Sequence, residues 1–448
     1  MLPTLQQLRA DLDAGRTSAL ALAEAALARA KDPAGEGARV YTRLYEERAL
    51  AQARAADLLR AAGQVRSVLD GVPVSIKDLF DVAGEPTTAG SVVLKDAAPA
   101  AQDALVVRRL AAAGAVIVGK TNMTEFAYSG LGINPHYGTP RNAWQRNEAR
   151  IPGGSSSGAA VSVTDGMAAI AMGSDTGGSV RIPSALCGLT GFKPTARRVS
   201  MDGVLPLSAN LDSIGPLGAS VACCAAADAI MAGEAPRALA PARLEGLRVA
   251  VPGTVVLDGM DETVATAFAG VLAQLERAGA RVERIEIPEF ARLGAINAKG
   301  GFTAAEAWAW HRGLIERAAD AYDPRVVSRM RRGADISAAD YIELLAARQA
   351  WIAGVEARIA GYDVLAMPTV PVVAPTIAAL TASDDAYYAA NGLILRNSTF
   401  INFLDGCALS LPCHAPGAAP VGLMLAAAGG QDERVLAVGA AVEAMLRG

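Results

Sequence analysis

From Gly71 onward the sequence alternates short, mostly apolar runs with segments of helical pattern, and this alternation restricts the fold more than any other feature. Residues 72–76, 115–118, 168–172, 247–251, 281–287, 362–366, 408–411 and 421–425 are the runs. Residues 103–113, 158–165, 178–187 and 432–446 carry helical spacing between or after them. Strands that are apolar on both sides belong in a sheet covered on both faces, and helices placed between strands supply the cover. The expected class is therefore α/β, a single α/β/α domain around a central mixed, mainly parallel sheet. Upstream, residues 4–30 and 43–63 read as amphipathic helices, with Leu5, Leu8 and Leu12 at helical spacing and a turn at Asp32-Pro33-Ala34-Gly35. No repeat, low-complexity linker or composition break divides residues 1–448, so one domain is expected, with 1–70 as a helical N-terminal extension.

Composition narrows the function classes. Of 448 residues, 52% are hydrophobic and 19% charged, which excludes a disordered chain. Aromatics are only 5% and alanine is abundant, so the core is expected to be built from small side chains and closely packed helices. The net charge is −4 and no Lys/Arg run extends beyond a pair, so the electrostatic footprint of a nucleic-acid binder is missing. The uncharged stretch 364–382 carries Pro368, Pro371 and Pro375, which break a membrane helix. The N-terminus has mixed charges and no apolar signal region. The five cysteines form no C-x-x-C pair, and the three histidines, His136, His311 and His414, lie far apart. No metal or cofactor is expected from such spacing, and the reading is a soluble, cytoplasmic protein with reduced cysteines.

The chemistry is concentrated in two glycine–serine clusters. The first is Ile151-Pro-Gly-Gly154-Ser155-Ser156-Ser157-Gly158; the second is Gly173-Ser-Asp175-Thr176-Gly177-Gly178-Ser179-Val-Arg181. Each precedes a helical segment, so backbone N–H groups can converge on one anionic centre, and glycine permits close backbone approach to a substrate. Residues 154–158 formally match a G-x-S-x-G nucleophile elbow. That motif requires a buried strand leading in, whereas the preceding residues are polar and end in Pro152. An S-x-x-K site is absent, because none of the six lysines follows a serine by three residues. Lysine enters by another route. Lys77 directly follows the apolar run 72–76, and a desolvated lysine loses its proton more readily and can act as a base.

At these residues the chain resembles the amidase signature hydrolases. The matching segments are Gly71-Val-Pro-Val-Ser-Ile-Lys77-Asp78, Gly119-Lys120-Thr-Asn122-Met-Thr-Glu125-Phe126, Pro152-Gly-Gly-Ser155-Ser156, Gly173-Ser-Asp175-Thr176-Gly177-Gly178-Ser179-Val-Arg181-Ile-Pro183 and Cys187-Gly-Leu-Thr-Gly-Phe-Lys193-Pro194-Thr195. Strong matching covers about 71–225, the signature core. Ser155 and Ser179 lie 24 residues apart, in agreement with the family's two catalytic serines.

The resemblance implies a Ser–cis-Ser–Lys triad. Ser179 would be the nucleophile, and Ser155, after a cis peptide at Gly154, would relay the proton to Lys77. The backbone N–H groups of Thr176, Gly177, Gly178 and Ser179 would form the oxyanion hole. Ser156, Asp175 and Arg181 would hold the loop, and Ser129 and Gly130 would wall the acyl site. Ser157 departs from the family pattern, where glycine is common, without touching the triad. Lys193 is read as structural.

The implied activity is hydrolysis of a carbon–nitrogen bond through an acyl-enzyme on Ser179. Substrates would be small-molecule amides, carbamates or esters, handled by a monomer or homodimer without cofactor. The alternative is the A-type subunit of a glutamine-dependent tRNA amidotransferase. Specificity would come from about 290–400, which holds Phe302, Trp308, Trp310, Tyr341, Trp351, Tyr387, Tyr388 and Phe400. Arg325, Arg329, Arg331 and Arg332 form a candidate carboxylate cluster there, read first as a solvated helix face.

Overall fold

A computed structural model of the chain describes residues 2–447. Its frame is a sheet of eleven strands: β1 (Tyr41–Leu44), β2 (Pro73–Lys77), β3 (Val116–Thr121), β4 (Ile170–Ser174), β5 (Thr190–Lys193), β6 (Ile214–Gly218), β7 (Arg248–Pro252), β8 (Arg281–Ile285), β9 (Val364–Pro368), β10 (Cys407–Pro412) and β11 (Gly422–Ala427). Their order across the sheet is β1-β3-β2-β4-β6-β5-β10-β11-β9-β7-β8. The sheet is mixed, as expected. Parallel pairing is confined to two blocks, β3-β2-β4 and β9-β7-β8. Between them the centre runs antiparallel through β6, β5, β10 and β11. Strands β5 and β6, which the sequence reading did not anticipate, create this centre. They are short and contain Gly191, Gly215 and Gly218, so they lack the apolar run that marks the others.

Successive side chains of a strand point to opposite faces, and that alternation sorts the core into two layers. Val249 and Val251 of β7, Val364 and Ala366 of β9, and Leu423 and Leu425 of β11 pack together. Phe268 and Val271 of the helix Glu262–Arg277 and Val435 and Val438 of the helix Asp432–Arg447 cover them. The intervening Ala250, Leu365, Met367, Met424 and Ala426 belong to a second cluster with Trp351 and Val355 of the helix Ala338–Ile359 and Phe400 and Phe403 of the helix Asp384–Phe403. Burial on both sides is why these strands read as continuous apolar runs rather than alternating ones.

The N-terminal region differs in detail from the expectation. Residues 4–30 form two helices, Leu5–Asp13 and Ala19–Lys31, because Thr4 and Ser18 each accept a backbone N–H and start a helix of their own. Residues 41–44 are strand β1, paired antiparallel with β3, before the helix Glu46–Ala61 begins. Ala19, Ala23, Ala26 and Ala30 pack with Ala49, Ala53 and Ala56, the small-residue packing implied by the alanine content. No described helix is long and apolar enough to cross a membrane.

The central strands lie so close to their neighbours that single glycines become structural requirements. A Cβ on Gly215 of β6 would sit 2.0 Å from the carbonyl oxygen of Phe192 on β5. Gly215→Ala is expected to lower stability by about 3 kcal/mol, since backbone cannot retreat as a side chain can. Gly270, mid-helix with nothing within 4 Å of an added Cβ, is the control. Gly270→Ala should raise stability by about 0.5–1 kcal/mol. Urea midpoints of the two variants check both signs, and an unchanged midpoint for Gly215→Ala would contradict the close β5–β6 approach.

Candidate active site

Strands β2 and β4 run parallel and adjacent, so their carboxyl ends open on the same side, the usual place for a site in an open α/β sheet. Lys77 ends β2 and Ser174 ends β4. Lys77 is fully buried, its Nζ 2.7 Å from Ser155 Oγ and 2.8 Å from Ser174 Oγ. Burial pulls the lysine down to about 7, against the opposing pull of the Asp175 and Asp212 carboxylates. Near neutral pH much of the amine is therefore uncharged. A neutral amine has a lone pair, so it can accept a proton from Ser155 while donating to Ser174.

Ser155 is presented by the loop ahead of the helix Ser157–Thr164. Its peptide with Gly154 is cis, and its carbonyl accepts from the Thr124 N–H at 3.0 Å. The Ser156 N–H donates to the Ser179 carbonyl at 3.3 Å, which joins the two serine loops. Ser157 is buried at the start of the helix.

The second loop is folded around one carboxylate. Asp175 accepts from the backbone N–H groups of Gly178, Val180 and Arg181 at 2.9–3.3 Å, and from Arg181 Nε and Nη2 at 3.0 and 2.8 Å. Burial alone would raise the Asp175 carboxyl, but the Arg181 guanidinium beside it holds it well below the usual range. Arg181 is fully buried, so it is no helix-surface arginine.

One expected role needs correcting. The Gly178 N–H is engaged by Asp175 Oδ1 at 2.9 Å and so is turned away from an oxyanion position. The glycine is still required, because its φ is +131° and a Cβ there would meet Ser398 Oγ at 2.1 Å. Thr176, Gly177 and Ser179 line a cavity of about 200 Å³ beside this loop. Ser129 lines the same cavity, whereas Gly130 is not among its lining residues. Ser129 Oγ and the Gly130 N–H both donate to Asn391 Oδ1 at 2.9 Å, and the Gly130 carbonyl accepts from the Gly154 N–H.

Several participants escaped the sequence reading. Asp212, just ahead of β6, accepts from Thr176 Oγ1 at 2.5 Å and from the N–H groups of Leu207 and Ser208. Burial raises its carboxyl to about 6. Asn402 donates to Asp175 and accepts from Arg181 Nη2 at 2.6 Å, and Ser398 Oγ donates to the Gly177 carbonyl at 2.6 Å. Asn391, Asn397, Ser398 and Asn402 are buried polar residues on one helix, Asp384–Phe403. Buried polar groups need partners, so that stripe was the available signal.

The remaining candidates lie apart. His136 Nε2 is 2.8 Å from Glu125 Oε1, which raises its pKa. His311 is buried against Phe126 and Trp310, and burial lowers it to about 3. Lys193 donates to the Pro194 and Gly406 carbonyls and is lowered to about 8 by burial. Of the aromatics between 290 and 400, Phe302 lines the cavity, joined by Phe403 just beyond. Among the described residues no group of three or more His, Cys, Asp or Glu side chains is placed to hold a metal ion.

Comparison with known proteins places this arrangement. A family model described as Amidase matches residues 21–436. The chain is 38% identical over 404 residues to the 2-amino-5-chloromuconic acid deaminase of Comamonas testosteroni, covering 89% of this chain and 87% of that protein. It is 33% identical to the A-type subunit of the glutamyl-tRNA(Gln) amidotransferase of Chloroflexus aggregans, covering 96% and 94%. Among solved structures, the peptide amidase of Stenotrophomonas maltophilia superposes with a TM-score of 0.80 at 26% identity, covering 99% and 97%. An amidase crystal structure reaches 0.87 at 33% identity, covering 99% of both chains. The chain belongs to the amidase family and is an enzyme that cleaves carbon–nitrogen bonds.

Proposed function

We propose that the chain is an amidohydrolase that forms an acyl-enzyme on Ser179, with Ser155 and Lys77 as the proton relay. The observation that carries this reading is Lys77, buried, lowered to about 7 and 2.7 Å from Ser155 Oγ, in a loop pair whose other member puts Ser179 on the cavity wall. Ser179 Oγ attacks the carbonyl carbon while its proton passes through Ser155 to Lys77. The carbonyl oxygen becomes an oxyanion facing the N–H groups of Gly177 and Ser179, with Thr176 at the edge. Each such donor contributes about 3 kcal/mol to the barrier reduction. The relay then reverses, the carbon–nitrogen bond breaks, and the amine leaves with the returned proton. Water repeats the cycle on the acyl-enzyme and releases the acid. Esters and carbamates present the same carbonyl and leaving heteroatom and fall within the same chemistry.

The second reading, an A-type subunit of a tRNA amidotransferase, is favoured by the 33% identity to such a protein over nearly the whole chain. The isolated chain assayed on glutamine and on simple amides separates the two. Glutaminase activity without simple amide hydrolysis supports the amidotransferase reading.

Ser179→Ala should abolish hydrolysis, with less than about 10⁻³ of the rate remaining, and keep the thermal midpoint close to that of the parent. A sulfonyl fluoride should label Ser179. Labelling at Ser156 would return the nucleophile to the elbow-like 154–158 segment.

The pH profile tests Lys77 directly. The relay needs the amine uncharged, and the amine is uncharged only above its pKa. Log kcat/KM should therefore fall with unit slope as pH drops through about 7. Lys77→Arg should lose most activity at every pH, because guanidinium cannot give up its proton in this range. Near-parental turnover by Lys77→Arg would remove lysine as the base.

A further inference from the structure

The cavity beside Ser179 is mainly apolar, walled by Leu207, Leu211, Phe302, Leu395 and Phe403. Among the described residues, one ionic side chain lines it: Arg329. Its neighbours in sequence are otherwise committed. Arg325 pairs with Asp384 at 2.7 Å, and Arg332 donates to the Ala298 carbonyl at 2.8 Å. Arg331 is exposed on the outer face. Arg329 has no carboxylate within 4.0 Å among the described residues. Its guanidinium stacks over the Tyr128 ring at 4.2 Å, and Nη1 donates to the Tyr128 carbonyl.

A guanidinium carries five N–H donors in a planar fork, and Tyr128 takes one of them while fixing the plane. The helix Pro324–Arg331 that carries Arg329 is itself braced. Asp323 caps it through the Arg325 N–H, and the Asp323 N–H donates to the buried Glu125 at 2.8 Å. A half-buried cation held in place at the wall of a mainly apolar cavity that no Asp or Glu lines can offer its remaining N–H donors to a ligand's counter-charge. A planar carboxylate supplies two matched acceptors for that fork.

On the footing that Ser179 marks where the scissile carbonyl sits, we infer that the substrates are short amides bearing a carboxylate, which Arg329, lining the same cavity, binds. The space agrees. About 200 Å³ equals roughly seven liquid waters at ~30 Å³ each, below the ~300–1,000 Å³ of drug-sized pockets. Long acyl chains and peptides exceed it. The carboxylate belongs either to the acyl half, as in a monoamide of a short dicarboxylic acid, or to the amine half, as in an N-acyl amino acid.

Two matched pairs distinguish these sources: succinamate against butyramide, and N-acetylglycine against N-methylacetamide. The parent enzyme should favour the carboxylate member of one pair by about 100-fold or more in kcat/KM, and Arg329→Gln should collapse that ratio to within a few-fold. Arg329→Lys, which keeps the charge but not the fork, should fall between them. A parallel binding measurement separates this inference from the acyl-enzyme reading. Glutarate titrated into Ser179→Ala protein by calorimetry should bind, and the added Arg329→Gln change should weaken that binding by about 100-fold. Binding lost with Arg329 supports carboxylate recognition even if Ser179 proves not to be the nucleophile. Equal turnover of charged and neutral members, a ratio unchanged in Arg329→Gln, or no glutarate binding would overturn it.

Discussion

The geometry of the candidate site depends on one fully buried ion pair, Asp175 with Arg181. Such a pair adds little net stability over apolar packing, because desolvation of both charges offsets their attraction. What it contributes is direction. Asp175 draws in the N–H groups of Gly178, Val180 and Arg181. The N–H groups of Gly177 and Ser179, two residues that line the cavity, have no acceptor among the described residues. Removing either partner would leave an uncompensated charge in the interior, a cost of about 3–5 kcal/mol. The same carboxylate also reaches Lys77 and moderates the effect of burial on it. One charge thus shapes the loop and sets how readily Lys77 takes up a proton.

Much of this was legible because it is local. The two glycine–serine clusters and Lys77 are each contiguous in sequence, and their chemistry is carried by residue type and spacing. The strands buried on both faces announced themselves as apolar runs for the same reason. What escaped is long-range. Asn402 reaches Asp175 across 227 positions, and Asn391 reaches Ser129 across 262. No local pattern encodes such pairings, although the cluster of Asn and Ser residues within one helix was a sign that partners existed. Strands β5 and β6, half of the antiparallel centre, were missed because glycines interrupt their apolar residues. Gly178 was assigned a donor's role that its own loop already uses. Arg329 was grouped with its neighbours as a solvated face, and only the fold separates it from Arg325 and Arg332.

The helix Asp384–Phe403 serves two surfaces at once. Ser398 and Asn402 hold the Asp175–Arg181 loop, while Leu395 and Thr399, on the same turns, face the cavity. Phe302 and Arg329, by contrast, reach the cavity from the separate helices Gly301–Ala318 and Pro324–Arg331.

That division assigns different adaptive freedom to different walls. Along Asp384–Phe403 a change of shape toward the cavity is also a change of grip on the Asp175–Arg181 loop, so on the proposed mechanism selectivity and turnover trade off there. Arg329 makes no hydrogen bond to that loop, so its exchange bears on what the enzyme accepts, whereas Phe302 is buried against Phe403 and shares the constraint of the helix Asp384–Phe403. A saturation library at Arg329 would redirect choice of substrate, whereas the same library at Leu395, Thr399 or Phe302 would mostly return slower enzymes.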